Sequence, residues 1–508
     1  MKEETRIMIA FALALLVIIL FSITPKKQPV QVKKESVPAP VSAPAVEKQN
    51  QSGIPAEFEV SNNQIKFENQ LYKGAIDLLG GKIVSFSLKN YIRPGEKTFD
   101  FFQKGNTLLD TVEGETQQLV YRLSPESKDG FYVLQARRND IEFEKSIKIA
   151  PDRYLWNVEI QQKNLANKTA ISPETNIILG SVTLNRKHPE DASIDFLVMN
   201  GGKPYKFNVA RQMKEKISGN VCVVRTRYQM YYFKVDTPVE FNVENVASKV
   251  VWGFKVPSSQ FSTGQTKKIS GDFYIGPSDY FVARSEISDM RIFGTGFFVS
   301  MGRLIFHVLN SIHRVIPNWG LAIIILTILI KIIFFPLTRS SLKSMKQLQK
   351  LRPYLQDVQK KYKDNPQMLQ REMMNLYKEY KINPFGGCLP MLVQIPIFVG
   401  FFLALRNSIF LRGSKFIFWI KDLSLPDTIA TIGSIPINIL PVLMFASSFL
   451  QQKMTPSVEQ SQKFMNVMLP LMMLVLFYNF SSGLLLYWVT MNLAGLVEQY
   501  YIYKIAKK

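Results

Sequence analysis

Hydrophobic and polar positions follow two different periods along this chain. Between about residues 58 and 280 they alternate at every second position, in short segments separated by turn-forming residues. The segments predict β-strands at residues 59–67, 82–88, 119–123, 130–136, 141–149, 155–161, 221–232, 250–255 and 267–274. Many strands without intervening helices predict an all-β sandwich domain, which we place at residues 57–288.

Outside this region the apolar residues form continuous runs that are nearly or fully long enough to cross a bilayer. Five runs lie at residues 319–337, 389–405, 434–450, 464–480 and 483–497, the last with an aromatic extension to residue 503. A sixth run, residues 7–23, follows Arg6 and lacks an A-x-A-like cleavage site, which favours a transmembrane anchor at residues 1–23 over a signal peptide. The sequence therefore predicts six transmembrane helices, with a Pro-, Ala- and Lys-rich linker at residues 24–56.

The segment at residues 289–317 predicts an amphipathic helix. Arg303, His307, Asn310 and Arg314 form a polar stripe opposite an apolar one. Such a helix suits the headgroup plane of a membrane, and continuation into the next span favours that position. A helix that packs on the β-sandwich would show the same pattern, so both interpretations stay open.

Charge predicts the orientation of the chain. Residues 291–508 hold 24 Lys and Arg against eight Asp and Glu, within a net charge of +22. The loop at 339–382 alone has eleven basic and four acidic residues, which predicts a cytoplasmic position, with the β-domain on the outer side and the C-terminus in the cytoplasm. Basic residues beside apolar spans suit anionic lipids, so nucleic acid is not the predicted ligand.

The basic loop is predicted to fold as a helical hairpin over residues 339–383. Residues 340–363 have helical spacing, and Asn365 followed by Pro366 marks the start of a second helix. Four methionines lie here: Met345, Met368, Met373 and Met374. They form either an adaptable surface for hydrophobic client segments or the core of the hairpin, and the sequence favours neither.

Lys331 lies inside the first of the core spans, residues 319–337. A charge at that depth is costly and normally faces a protein interior or a water-filled cavity, so we predict a polar groove. Snorkelling is less favoured, because Thr338 lies about 10 Å further along the helix, beyond the reach of the lysine stem. We find no acidic partner within a span. Polar side chains that recur in the spans are Thr327, Gln394, Asn438, Asn479, Thr490 and Asn492.

Other chemistry has little support in the sequence. Cys222 and Cys388 are predicted to lie on opposite sides of the membrane, and neither they nor the three histidines show metal-ligand spacing. No cofactor is predicted. In the β-domain, Trp156 and Trp252 would either stack on a sugar or pack between strands, and packing is favoured.

Several motifs together resemble the YidC-type membrane protein insertases, a family that includes the mitochondrial oxidase-assembly and chloroplast Albino insertases. The motifs are N-W-G at 318–320, F-P-L-T at 335–338, Y-K-E-Y-K-I-N-P-F-G-G-C-L-P at 377–390, Q-I-P-I-F at 394–398, F-Y-I-G-P at 273–277 and S-S-G-L-L-L-Y-W at 481–488. The resemblance covers essentially the whole chain, in the Gram-negative form with a large periplasmic domain. One departure is Lys331, where many bacterial members have arginine.

The resemblance implies a bacterial inner-membrane insertase and chaperone that acts alone or with the Sec translocon. It implies a five-helix core at residues 318–508 with a hydrophilic groove, a cytoplasmic hairpin, and an outer β-supersandwich domain. Nascent membrane proteins, the ribosome, the translocon and anionic lipids are the implied partners of a monomer or weak dimer. Covalent catalysis is not needed, so we do not expect an enzyme.

On this hypothesis, each group of side chains has a role. Groove residues are Lys331, Thr327, Gln394 and Asn492, and the methionines of the hairpin capture the client. Candidate hydrophobic contacts are Phe398, Phe402, Tyr487 and Trp488. An ion or solute transporter that uses Lys331 is the alternative, although paired inverted repeats are not evident. A membrane-anchored carbohydrate-binding protein is a third class.

Overall fold

The computed structural model describes residues 63–102, 106–113, 117–183, 194–202, 204–208, 214–246, 249–363, 365–380, 389–454 and 460–505. The predicted anchor at 1–23, the linker at 24–56 and Cys388 lie outside these residues.

Residues 64–277 form an antiparallel β-domain. Seventeen strands of the described chain join in one sheet network, and β11 and β18 pair separately. The strands are β1 Gln64–Glu68, β2 Tyr72–Asp77, β3 Lys82–Leu88, β4 Phe99–Asp100, β5 Leu108–Glu113, β6 Gln117–Gln118, β7 Arg122–Leu123, β8 Phe131–Arg138, β9 Ile141–Ile149, β10 Leu155–Asn164, β11 Ala170–Ser172, β12 Thr175–Thr183, β13 Asp195–Met199, β14 Tyr205–Asn208, β15 Lys214–Arg225, β16 Gln229–Val246, β17 Lys249–Val256, β18 Ser259–Phe261 and β19 Thr266–Pro277.

The period-two pattern located several strands well, but it failed at one turn and at residues 119–123, of which only Arg122–Leu123 belong to a strand, β7. The predicted strands at 82–88 and 141–149 coincide with β3 and β9. The single strand predicted at 221–232 is wrong: β15 and β16 form a hairpin there, closed by a 2.9 Å hydrogen bond from Thr226 N to Gln229 O. Thr226 to Tyr228 contain none of the Gly, Pro, Asn or Asp residues that mark most turns.

Aromatic side chains fill the core of the β-domain. Trp156 and Trp252 are 0% and 1% exposed. The Trp156 indole donates a 2.7 Å hydrogen bond to the Tyr72 hydroxyl, and the rings of Trp252 and Tyr231 lie 5.6 Å apart. The prediction that these tryptophans pack between strands is confirmed, and they are not available to stack on a sugar.

The rest of the described chain is mainly helical. The helices are α1 Tyr280–Ala283, α2 Phe297–Val315, α3 Trp319–Lys361, α4 Pro366–Glu379, α5 Leu389–Arg406, α6 Ile439–Met454, α7 Gln460–Phe477 and α8 Ser482–Ile505, and a short hairpin of β20 Thr428–Ile432 and β21 Ile435–Asn438 precedes α6. The predicted start of α4 is confirmed, because Asn365 caps it by accepting a 3.1 Å hydrogen bond from Met368 N. The span and the first hairpin helix form one continuous helix, α3, despite Pro336 and Pro353.

Two predicted boundaries are wrong for local reasons. The run at 434–450 begins as β21, because Gly433 has φ +62° and closes a β-hairpin before α6 starts. The amphipathic helix is interrupted before residue 297, where Gly294 and Gly296 have φ of +82° and +124°. These conformations favour glycine and end a helix.

Helix α2 packs against α5. A Cβ on Gly302 would lie 3.3 Å from Gly400 O, so the two backbones approach closely. The buried apolar side chains of α2, which are Ile305, Phe306 and Leu309, lie in the same apolar cluster as the buried residues of α5. The amphipathic helix therefore packs on the helical core, and the interpretation that it packs on the β-sandwich is wrong.

Polar contacts join the β-domain to the loop after α5. The Arg412 guanidinium contacts both Glu96 carboxylate oxygens at 2.8 and 3.0 Å and lies over the Phe99 ring. Arg93 Nε lies 2.9 Å from Asp422 Oδ2. Two charged contacts, one of them forked, thus fix the β-domain to one end of the helical core.

Candidate functional site

Helix α3 presents an apolar surface that protein does not cover. Of the described helices it alone is long and apolar enough to cross a membrane, and two shorter apolar helices lie at residues 392–406 and 467–477. Only 28% of the most apolar stretch of α3 is buried, and Ile332 and Ile333 are exposed. A soluble protein would bury such a surface, so we assign it to lipid contact.

Lys331 points away from this lipid surface and towards α8. Its Nζ lies 3.4 Å from Glu498 Oε2, and the two side chains are 20% and 7% exposed. A Cβ on Gly495 would lie 3.3 Å from Nζ, so a glycine lets the lysine lie against the backbone of α8. The prediction that no span holds an acidic partner is wrong, and the contact with Glu498 also argues against snorkelling.

Glu498 is the site residue that sequence reasoning missed. It follows the apolar run at 483–497, within its aromatic extension, and lies 167 positions from Lys331. A carboxylate inside the 24-residue helix α8 was the available signal. Its Oε1 is buried and has no hydrogen-bond partner among the described residues.

Three further predicted groove residues direct their hydrogen bonds to other groups. Thr327 Oγ1 donates to Ile323 O at 2.6 Å within α3. Gln394 Nε2 donates to the Tyr487 hydroxyl at 2.9 Å. These bonds are of the kind that polar residues make within and between membrane helices.

Asn492, the third of them, connects α8 to α6. Its Nδ2 donates to Ser447 Oγ at 3.1 Å and to Ser448 Oγ at 2.7 Å. The structure therefore places these polar residues of the spans in separate contacts, and the charged pair Lys331–Glu498 is distinct from all of them.

The predicted hydrophobic contacts divide by exposure. Tyr487 is 1% exposed and stacks on Phe401 at 4.1 Å between ring centroids. Phe398 packs edge-on against Trp488 at 4.8 Å, and Phe402 lies 6.3 Å from Phe480. Phe398, Phe402 and Trp488 are only partly buried. Tyr487 thus belongs to the core, and the other three line its edge.

The methionines of the hairpin also divide. Met373 packs against the apolar cluster of Leu348, Leu351 and Leu355, which joins α3 to α4. Met368 and Met374 are exposed, and Met345 is half-buried. The hairpin therefore has a small core and leaves part of its thioether surface open.

Together these features define a membrane protein: a helical core with exposed apolar faces and an internal ion pair, joined to a large antiparallel β-domain. Residues 64–201 match the family model of the YidC periplasmic domain, and residues 311–508 match that of the 60Kd inner membrane protein. The membrane protein insertase YidC of Endomicrobium trichonymphae is 31% identical over 473 residues, which cover 88% of this chain and 87% of that protein. The chain belongs to the YidC family of membrane protein insertases.

Other matches agree in kind. The membrane protein insertase YidC of Geobacter metallireducens is 40% identical over 250 residues, covering 49% of this chain and 45% of that protein. A crystal structure of an active YidC insertase, 19% identical, covers 88% of this chain and 95% of its own, with a TM-score of 0.40. The family models and the Endomicrobium relative confirm the resemblance of the motifs. The lack of an acidic partner for Lys331 was one argument against a transporter, and the contact with Glu498 removes it. Family membership nevertheless favours the insertase.

Proposed function

We propose that this chain inserts membrane proteins through a polar site between α3 and α8, in a core of five spans with a sixth span at residues 1–23. The observation that carries the proposal is the Lys331–Glu498 pair, which places charge inside a helix whose outer face is apolar and uncovered. A charged, partly accessible site beside lipid suits a polar client tail in transit.

The proposed mechanism uses the hairpin first, then the polar site, and finally the lipid-facing surface. The basic hairpin, with Met368 and Met374 exposed, receives a hydrophobic client segment. The polar tail of the client then enters beside Lys331, whose ammonium attracts acidic groups, while Gln394 and Asn492 exchange their internal hydrogen bonds for bonds to the tail. Burial of the client span in lipid, against the partly exposed rings of Phe398 and Trp488, supplies the driving force.

Orientation and partners follow from charge. The eleven basic residues of the loop at 339–382 favour the cytoplasmic side and contact with anionic lipids or the ribosome. The β-domain then lies in the periplasm of a bacterium, as a supersandwich that projects from the inner membrane. Cooperation with the Sec translocon is part of the same proposal.

The test is reconstitution of the purified chain into sealed liposomes, with protease protection of a one-span client that has a short acidic tail. Protection above that of empty liposomes is expected. Lys331→Ala should slow insertion of this client and Lys331→Glu should slow it more, whereas Lys148→Ala, an exposed lysine of β9, should leave it unchanged. If both Lys331 variants insert the client at the wild-type rate, attraction by the lysine is not part of the mechanism.

A further inference from the structure

The positive charge of the polar site is neutralised within the chain. Lys331 comes from α3 and Glu498 from α8, so the site holds one cation and one anion before any client arrives. An acidic client tail therefore meets a site with no net charge. Attraction to Lys331 requires that Glu498 gives up its contact.

The contact is of a kind that can be exchanged. Its 3.4 Å separation is longer than the roughly 2.7–2.9 Å typical of a charge-assisted hydrogen bond. Only one carboxylate oxygen takes part, and the other, Oε1, is buried without a partner among the described residues. The Thr338 hydroxyl, which also lies beside the Glu498 carboxylate, donates to Phe334 O at 3.2 Å within α3. A buried carboxylate with one unfilled oxygen is in an unfavourable state, and a donor from outside would relieve it.

One side of the lysine faces away from protein. Gly495 and the Gln451 amide lie beside Nζ on the α8 side, whereas the neighbouring Ile332 is exposed and directed to lipid. The lysine side chain is 20% exposed, whereas that of Glu498 is 7% exposed, so Lys331 is the more accessible partner of the pair. A client carboxylate can therefore approach Lys331 from the open side.

On the basis of the proposed function, we infer that Glu498 is a specificity-determining residue that competes with the client for Lys331. An acidic tail is admitted by replacing Glu498 at the ammonium. Entry of the tail between α3 and α8 uncovers the freed carboxylate, which then accepts hydrogen bonds from backbone N–H groups of the tail. Glu498 thereby sets how much negative charge a client tail needs before it is inserted faster than a neutral tail.

The experiment compares three versions of one client, with two acidic, no charged or two basic residues in the tail, inserted into liposomes by the full chain. The quantity measured is the ratio of the initial insertion rates of acidic and neutral tails. Glu498→Gln should raise this ratio about fivefold, as expected for removal of a competing ion pair of ordinary strength. Glu126→Gln, an exposed residue of the β-domain, is the matched control and should not change the ratio.

A second variant keeps the inference testable if Glu498→Gln fails to fold. The double variant Lys331→Gln with Glu498→Gln leaves no buried unpaired charge at this site, and it should insert all three clients at the same rate. The inference is overturned if Glu498→Gln leaves the ratio unchanged, if it slows all three clients equally, or if the double variant still discriminates by charge. Failure of the wild-type chain to insert even the neutral client would instead overturn the proposed function.

Discussion

Lys145 in the β-domain and Lys331 in the helical core are both withdrawn from water, and their surroundings differ. Lys145 Nζ donates to three backbone carbonyls, at 3.1 Å to Gly80, 3.0 Å to Gly81 and 2.6 Å to Leu109. In its protonated form the lysine has three N–H donors, and each of them has a carbonyl acceptor. Within the described part of the chain, Lys331 has one long contact, at 3.4 Å to Glu498 Oε2.

The number of donors in use distinguishes the two lysines: Lys145 uses all of its donors within the β-domain, whereas Lys331 does not use all of its own. Asp110 lies near Lys145 and makes a 3.9 Å ion pair with Lys82, whose side chain is also fully buried. Within the β-domain these charges are closed to solvent. A lysine whose donors are all used within the domain stabilises the fold, whereas one with unused donors has capacity for a further ligand.

Substitution of Lys145 is predicted to change the stability of the β-domain more than any other substitution proposed below. Lys145→Met removes three hydrogen bonds and leaves Asp110 buried with less compensation, which should cost about 3–5 kcal/mol. Hydrogen exchange of the β9 amides in the full chain measures the loss. Lys148→Met, three residues along the same strand but exposed, should change it by less than about 0.5 kcal/mol.

The same substitution should leave insertion of a neutral-tailed client nearly unchanged, provided that the domain stays folded at the assay temperature. A loss of insertion with intact β9 protection would contradict a purely structural role for Lys145, because this residue would then act beyond its own domain.

A smaller effect is expected from pH. Burial lowers the pKa of the Lys145 ammonium to about 7, and the neighbouring Asp110 carboxylate opposes the shift. The unfolded chain, with an ordinary lysine pKa, binds a proton between about pH 7 and 10 that the folded domain does not bind. Stability of the β-domain should therefore rise with pH in this window, by up to about 1.4 kcal/mol per pH unit.

Denaturant unfolding of the full chain at pH 7, 8 and 9 tests the sign of this dependence. Lys145→Met is the control, since the contribution of this residue disappears with it. Equal slopes for the wild type and the variant would show that Lys145 keeps its proton throughout the window.

Next in size is the junction between the two regions. Arg412→Ala removes the forked contact with Glu96 and the packing over Phe99, which should loosen the junction by about 1–2 kcal/mol. The cost is limited because Glu96 is 33% exposed and water can replace the guanidinium. Hydrogen exchange around residues 91–96 measures it, with Arg122→Ala in exposed β7 as the control; equal protection in both variants would contradict the assignment.

The sequence predicted the main elements because their patterns are local. Alternation along β9 and the Asn365-Pro366 start of α4 depend on neighbouring residues only. The pairing of Lys331 with Glu498 depends on how α3 and α8 pack, across 167 positions, and no local pattern encodes it. Asn492 shows the same limit, because a polar residue in a span predicts a hydrogen bond but not its partner.

The weakest effect is predicted for two methionines of the hairpin, one of which is packed while its neighbour is exposed. Met373 packs on the Leu348–Leu351–Leu355 cluster, whereas Met374 beside it is 42% exposed. Met373→Ala should weaken the protection of α4 amides by about 1 kcal/mol, less than for a fully buried methionine. Met374→Ala should leave protection within about 0.5 kcal/mol and instead reduce crosslinking of a hydrophobic client segment to the hairpin. Met373→Ala could instead reduce crosslinking more than Met374→Ala while α4 stays equally protected. In that case the packed methionine contacts the client, and packing within the hairpin does not exclude client binding.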